Sequence, residues 1–179
     1  MKNILPLTLA ILFINTTDIQ SIEKQRLSDE DISIKFAAYN VLFGLWGDPE
    51  SIGKNLKKHN LDIIGFNEVP NGDWTKRVGN ILKMNYIFVG AISSANHKNK
   101  YKSILSRYPL YDTGEIEING NGWKPASLVH AKIQIENIKI KVFSTHIPGQ
   151  KNPNDSAASL ISNKIIKKSN DENLIILGD

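Results

Sequence analysis

The sequence contains no cysteine among its 179 residues. Disulfide bonds, thiolate zinc sites, cysteine nucleophiles and a lipoprotein anchor on cysteine are therefore excluded. With 41% hydrophobic residues, a chain of this length has enough apolar material for one core of ordinary size. We expect a single folded domain whose chemistry does not involve thiols.

The sequence also lacks an apolar run long enough for a stable membrane span. Residues 4–14 form a short apolar run after Met1-Lys2-Asn3, which is typical of a secretory signal. We predict a signal peptide over residues 1–20, a lead-in over 21–31, a folded domain over 32–179, and a secreted or periplasmic location. An uncleaved anchor is one alternative, because residues 15–18 offer no Ala-x-Ala site, and a buried N-terminal strand or helix is another.

Charge is neither strong nor concentrated in this chain. The formal charge is +4 with a pI near 9.2, and the lysines are scattered in pairs such as Lys57-Lys58 and Lys167-Lys168. This balance permits a phosphate-bearing partner without requiring one, and it favours nucleic acid only slightly. No protein partner is indicated.

Four strand-like runs each bring a polar side chain to their carboxyl end. The runs over residues 34–40, 61–69, 138–146 and 174–179 end at or near Asn40, Glu68, His146 and Asp179. Helices are predicted after Asp48-Pro49 and after Asp73, which we assign as N-caps. A strand, helix, strand succession places Asn40 beside Glu68 if the two strands are parallel.

An amide, two carboxylates and an imidazole at one sheet edge suit a magnesium-assisted attack of water on phosphate. In this interpretation Glu68 binds the metal, His146 transfers a proton, and Asp179 orients the nucleophile or binds a second metal. The alternative is that these are ordinary polar strand ends, because any α/β protein has them. His59, His97 and His130 are interpreted as structural or solvated residues.

Five short segments occur in a fixed order along the chain. They are residues 38–41 (AYNV), 62–69 (DIIGFNEV), 103–110 (SILSRYPL), 143–146 (FSTH) and 176–179 (ILGD). Together they resemble the motifs of the endonuclease/exonuclease/phosphatase superfamily. The resemblance extends from about Ile34 to Asp179, which is most of the chain.

The resemblance implies a DNase I-like fold: an α/β four-layer sandwich of two mixed β-sheets flanked by helices. It also implies cleavage of phosphoester bonds with Mg²⁺, or with Mn²⁺ or Ca²⁺ as alternatives. By this resemblance Asn40 contacts the metal or the scissile phosphate, and Glu68 binds the metal. His146 contacts the phosphate, and Asp179 is the catalytic aspartate of a Gly-Asp-x-Asn motif.

The sequence departs from the superfamily pattern at three points. Asn67 stands where the family usually has glutamine, and Lys124 stands where an arginine is frequent, so we predict a substrate-binding role for Lys124. The chain ends at Asp179, before the family's later Asn, Asp and Asp-His positions. We therefore expect the N-terminal part of the domain, with the second sheet incomplete and half of the proton-transfer groups missing.

The predicted function is a magnesium-dependent phosphoester hydrolase, with a nuclease or phosphodiesterase ahead of an enzyme for lipid or inositol phosphates. The alternative is a non-catalytic remnant that binds metal or phosphate. Trp46 and Trp123 flank glycine turns, where an aromatic ring can stack on a base or enter a lipid interface. We expect packing in the core or its rim for both.

Overall fold

The computed structural model describes residues 32–148, 156–169 and 173–179. Residues from Ile34 to Asp179 form one compact unit. The predicted signal peptide and lead-in lie outside the described residues, as does Asp155, where the sequence predicts the start of the last helix. No described helix is long and apolar enough to cross a membrane.

The described chain contains eight strands and three α-helices. The strands are β1 (Phe36–Asn40), β2 (Ile63–Val69), β3 (Tyr86–Val89), β4 (Tyr101–Ser106), β5 (Tyr111–Glu117), β6 (Ser127–Ile135), β7 (Ile138–Thr145) and β8 (Asn173–Gly178). The helices are α1 (Pro49–Lys57), α2 (Trp74–Leu82) and α3 (Ala157–Lys164).

The first sheet has the strand order β1-β2-β4-β3. Strand β2 is parallel to β1 and antiparallel to β4, so the sheet is mixed. Every residue of β2 is buried, which explains its nearly continuous apolar sequence. Helices α1 and α2 cover one face of this sheet, where Ile52, Phe66, Trp74 and Val78 form part of one apolar core.

The second sheet has the strand order β5-β6-β7-β8. Strands β6 and β7 form a hairpin, whereas β7 and β8 are parallel, so this sheet is mixed as well. Its outer face packs against α3 through a core that includes Phe143, Ala157 and Ile161. The two predicted mixed sheets with flanking helices are therefore confirmed.

The two sheets meet closely at the middle of β2. A Cβ atom at Gly65 would lie 2.8 Å from the Cβ of Leu177 in β8 and 3.0 Å from the hydroxyl of Ser144 in β7. The Ser144 hydroxyl donates a hydrogen bond to the carbonyl of Phe66 at 3.2 Å. Glycine at position 65 thus allows the backbone of the first sheet to contact side chains of the second.

Two local predictions differ from the structure and two are confirmed. Asp48 caps α1, since its carboxylate accepts a hydrogen bond from the Ser51 N–H at 2.8 Å. Asp73 precedes α2 without a side-chain capping bond, because its backbone is not in the extended conformation of a usual N-cap. Trp46 is 65% exposed, so its predicted packing is wrong, whereas Trp123 packs against His146.

Candidate active site at the strand ends

The structure brings the four predicted strand-end residues together. The Asn40 Nδ2 atom lies 2.6 Å from Asp179 Oδ2 and 3.4 Å from Glu68 Oε1. The His146 Nδ1 atom lies 3.4 Å from the same Glu68 oxygen. The cause is topological, because β1 with β2 and β7 with β8 are parallel pairs that deliver their carboxyl ends to one edge.

Asn40 acts as a hydrogen-bond bridge between the two carboxylates. Its amide nitrogen donates to Glu68 and Asp179, while its amide oxygen accepts from the backbone N–H of Leu42 at 2.8 Å. The Leu42 N–H therefore fixes which end of the amide faces the carboxylates. In this arrangement Asn40 positions Glu68 and Asp179, and its ligation of a metal stays a prediction.

A β-bulge directs the Glu68 side chain toward the edge of the sheet. The pairing of β2 with β4 shifts register between Asn67 and Val69, and Glu68 has a left-handed φ of 53°. Such backbone conformations are costly for residues other than glycine and tend to occur at functional sites. The sequence pattern alone places Glu68 in the strand without indicating this change of direction.

Glu68 is only 5% exposed, and its two carboxylate oxygens have different surroundings. Oε1 faces Asn40 and His146, whereas Oε2 is buried without a hydrogen bond from the described residues. The ammonium group of Lys100 lies 3.3 Å from Oε2 as an ion pair that lacks hydrogen-bond geometry. Oε2 is therefore the carboxylate oxygen that a cation would satisfy.

His146 is held in a partly buried position against the ring of Trp123, with the ring centroids 5.1 Å apart. Burial lowers the pKa of His146 below its usual value, and the negative charges of Glu68 and Asp179 only partly oppose this effect. The imidazole is therefore more readily neutral than a histidine in water. A neutral imidazole can accept a proton, which is the form that a general base requires.

Lys124 lies outside this group. Its exposed side chain lines a separate cleft together with Asn119, Asn121 and residues of α3. The structure records no contact between Lys124 and the four strand-end residues among the described parts of the chain. Its predicted role in substrate binding stays a prediction, and it requires a substrate that extends beyond the strand-end edge.

The donor set at this edge is small, and its binding of a magnesium ion stays a prediction. Across the described ranges, no group of three or more His, Asp or Glu side chains is arranged to hold a metal ion. Glu68 and Asp179 are two carboxylates linked through one amide group. Mg²⁺ typically takes one or two protein carboxylates and draws its remaining ligands from water and phosphate oxygens.

Two lysines lie inside or beside this region without a role predicted from the sequence. Lys100 contacts Glu68, and Lys102 is fully buried between the sheets, where its ammonium donates to the Ile92 carbonyl at 2.7 Å. Lys102 had a signal in the sequence, because a lysine within an apolar strand must be paired or hydrogen-bonded. Lys100 had none, since the loop before β4 carries several lysines.

No protein-family model matches the chain, and no curated protein matches it in sequence. Solved structures match it in fold. An endonuclease/exonuclease/phosphatase from Bacteroides vulgatus is 16% identical with a TM-score of 0.64, and the match covers 83% of this chain and 66% of that chain. D. rerio TDP2, complexed with a single-strand DNA product, is 13% identical with a TM-score of 0.63, and the match covers 83% of this chain and 61% of the TDP2 chain.

Sphingomyelinase C from Streptomyces griseocarneus is also similar, at 13% identity and a TM-score of 0.59, covering 83% of this chain and 64% of that chain. The chain thus spans just under two thirds of each of these three structures. At such identities the similarity shows the fold alone. The chain has the DNase I-like fold of the endonuclease/exonuclease/phosphatase proteins, as its five motifs predict.

Proposed function

We propose that this chain carries the catalytic edge of a metal-dependent phosphoester hydrolase. The observation that supports the proposal is the convergence of Asn40, Glu68, His146 and Asp179 within hydrogen-bond or ion-pair distance at one edge of a DNase I-like fold. These residues come from four strands that are far apart in sequence. If polar strand ends met only by chance, we would not expect an amide group to bridge two carboxylates, as that of Asn40 does.

Each residue has a distinct task in this proposal. Glu68 and Asp179 hold the metal, and Asn40 fixes the relative position of their carboxylates. His146, which burial keeps more readily neutral, moves a proton at Nδ1 or Nε2 during attack of water on phosphorus. A bound Mg²⁺, or Mn²⁺ or Ca²⁺ in its place, would neutralise charge on the phosphoryl oxygens.

A phosphodiester is the substrate class that we favour, with nucleic acid ahead of lipid or inositol phosphates. The net charge of +4 supports a polyanion weakly, and the fold is shared with a protein bound to a DNA product and with a sphingomyelinase. The short apolar N-terminal run supports a secreted or periplasmic location. The competing function is a non-catalytic protein that binds metal or phosphate.

The test compares cleavage of bis(p-nitrophenyl) phosphate and of single-stranded DNA by the wild type and by Glu68→Gln, with and without Mg²⁺. Glu136→Gln is the matched control, since Glu136 is an exposed carboxylate in the turn at the other end of β7. We expect Glu68→Gln to lower the rate by about 100-fold and the control to leave it unchanged. Equal activity of Glu68→Gln and wild type would contradict the proposal.

Two further measurements separate the alternatives. Cleavage of DNA should fall steeply as salt rises from about 50 to 200 mM, whereas cleavage of the small diester should change little. Sphingomyelin vesicles serve as the lipid substrate, and activity on them alone would favour the lipid class. A wild-type chain that binds Mn²⁺ but cleaves none of these substrates would support the non-catalytic function.

A further inference from the structure

Lys100 occupies the side of Glu68 that a metal ion would need. We propose that Lys100 is the resident counter-ion of Glu68 and competes with a divalent cation for this carboxylate, so that metal binding requires the ammonium to move away. The inference rests on the proposed function, because it takes Glu68 as a metal ligand. It assigns to Lys100 a positioning and charge-balancing role at the metal site.

The distribution of contacts around Glu68 leaves one oxygen for a cation. Oε1 already faces the Asn40 amide and His146, at 3.4 Å each. Oε2 lies 3.3 Å from Lys100 Nζ and receives no hydrogen bond from the described chain. A metal that binds Oε2 would therefore meet the ammonium group at close range, and the two positive charges repel each other.

Lys100 is held at this position by a built environment. Its ammonium lies over the ring of Phe43, 5.0 Å from the centroid, and Phe43 packs against His97 with ring centroids 5.0 Å apart. Its backbone N–H donates to the Ser93 hydroxyl at 3.0 Å, and its carbonyl accepts from the Ser94 N–H at 3.0 Å. The side chain is 24% exposed, so it is partly buried.

This arrangement also provides a route for the ammonium to leave. A lysine side chain has a flexible four-carbon stem, so its head group can move away while the backbone of the loop stays anchored. Phe43 can retain the ammonium by its cation–π interaction as Lys100 leaves Oε2. Removing the charge of Lys100 should therefore make the cation bind more tightly, whereas removing an ordinary structural ion pair would not.

The experiment titrates Mn²⁺ into the 179-residue chain and follows free Mn²⁺ by electron paramagnetic resonance. Lys100→Gln should bind Mn²⁺ about five-fold more tightly than the wild type, as expected when a partly buried charge pair no longer competes. Lys98→Gln is the matched control, because Lys98 is an exposed lysine of the same loop. Lys100→Arg keeps the charge and should bind no more tightly than the wild type.

Thermal unfolding provides a second readout. Without Mn²⁺, Lys100→Gln should be less stable than the wild type, because Glu68 loses its counter-ion. With saturating Mn²⁺ its midpoint should rise by more than that of the wild type, since tighter binding to the folded state adds more stability. If Lys100→Gln fails to fold, Lys100→Met is the substitute, because its side chain preserves the apolar contact with Phe43.

The outcomes distinguish the inference from the proposed function. Unchanged or weaker Mn²⁺ affinity in Lys100→Gln overturns the inference if Glu68→Gln still weakens binding, and the proposed metal role of Glu68 then survives. If Glu68→Gln leaves Mn²⁺ binding unchanged, or the wild type binds no Mn²⁺, both fall together. Equal tightening by Lys98→Gln would show a general charge effect and would also overturn the inference.

Discussion

The buried lysine of β4 should make the stability of this protein rise with pH in the alkaline range. Lys102 is fully buried, and its ammonium contacts the Ile92 carbonyl, the Ser94 hydroxyl at 3.4 Å and the Glu115 carboxylate at 3.9 Å. Burial lowers its pKa from 10.5 to about 8, and the nearby Glu115 only partly opposes this effect. The folded state thus holds this proton less tightly than the unfolded state.

The sign and size of the effect follow from proton linkage. Between pH 8 and 10.5 the unfolded chain keeps the proton that the folded chain has released, so the free energy of unfolding increases with pH. A shift of one pKa unit corresponds to about 1.4 kcal/mol, which gives a gain of roughly 2 kcal/mol between pH 8 and 10. Below pH 8 both states are protonated, and the cost of the buried charge is fully present.

The assay is urea unfolding of the wild type and Lys102→Met at pH 7, 8, 9 and 10, in the absence of metal. The difference in unfolding free energy between the two proteins should change by about 2 kcal/mol in favour of the wild type from pH 8 to 10. Lys139→Met, at an exposed lysine of β7, should show no such change. Parallel curves for the wild type and Lys102→Met would refute the reasoning.

Two further predictions concern His146 at the site and the contact of Gly65 with the second sheet. Burial lowers the pKa of His146 in the folded state. As the pH falls below about 6.5, this histidine therefore binds a proton more readily in the unfolded chain than in the folded chain, and the free energy of unfolding should decrease. His146→Gln should reduce this fall in thermal midpoints between pH 5 and 7.5, whereas His59→Gln, at an exposed helix end, should not. Gly65→Ala should cost roughly 1–3 kcal/mol in urea unfolding, because its methyl group would clash with Leu177. Leu177→Gly, which removes the Cβ atom 2.8 Å from that methyl group, should add less than its usual cost in that background, and strict additivity of the two costs would contradict this packing argument.

The meeting of the four strand-end residues could be predicted from local sequence patterns, whereas the two-sheet architecture is implied by the resemblance of the five motifs to a known superfamily. Apolar runs of strand length that end on Asn40 and Glu68 identify β1 and β2, and a helix between them favours parallel pairing. The apolar patterns over residues 127–135 and 138–146, separated by Glu136-Asn137, predict a hairpin that corresponds to β6 and β7, with β7 ending one residue earlier, at Thr145. The parallel pairing of β7 with β8 then brings His146 and Asp179 to the same edge.

The details that shape the site depend on tertiary context and could not be predicted. Hydrophobic periodicity contains no signal for the bulge at Glu68, because a single extra residue leaves the apolar run intact. Lys100 and Glu68 are 32 positions apart in the sequence, and no local pattern indicates that they are in contact. The left-handed conformations of Leu42 and Phe43 could not be predicted either, because the types of these residues do not indicate them.

At position 68, the residue type that suits the left-handed backbone differs from the residue type that suits the proposed metal site. Glycine or asparagine would adopt a φ of 53° with less strain than glutamate, and neither has a carboxylate. A search for more stable variants would therefore favour replacing Glu68, the residue that we propose as a metal ligand. The fold tolerates the local strain at this position because the rest of β2 is fully buried.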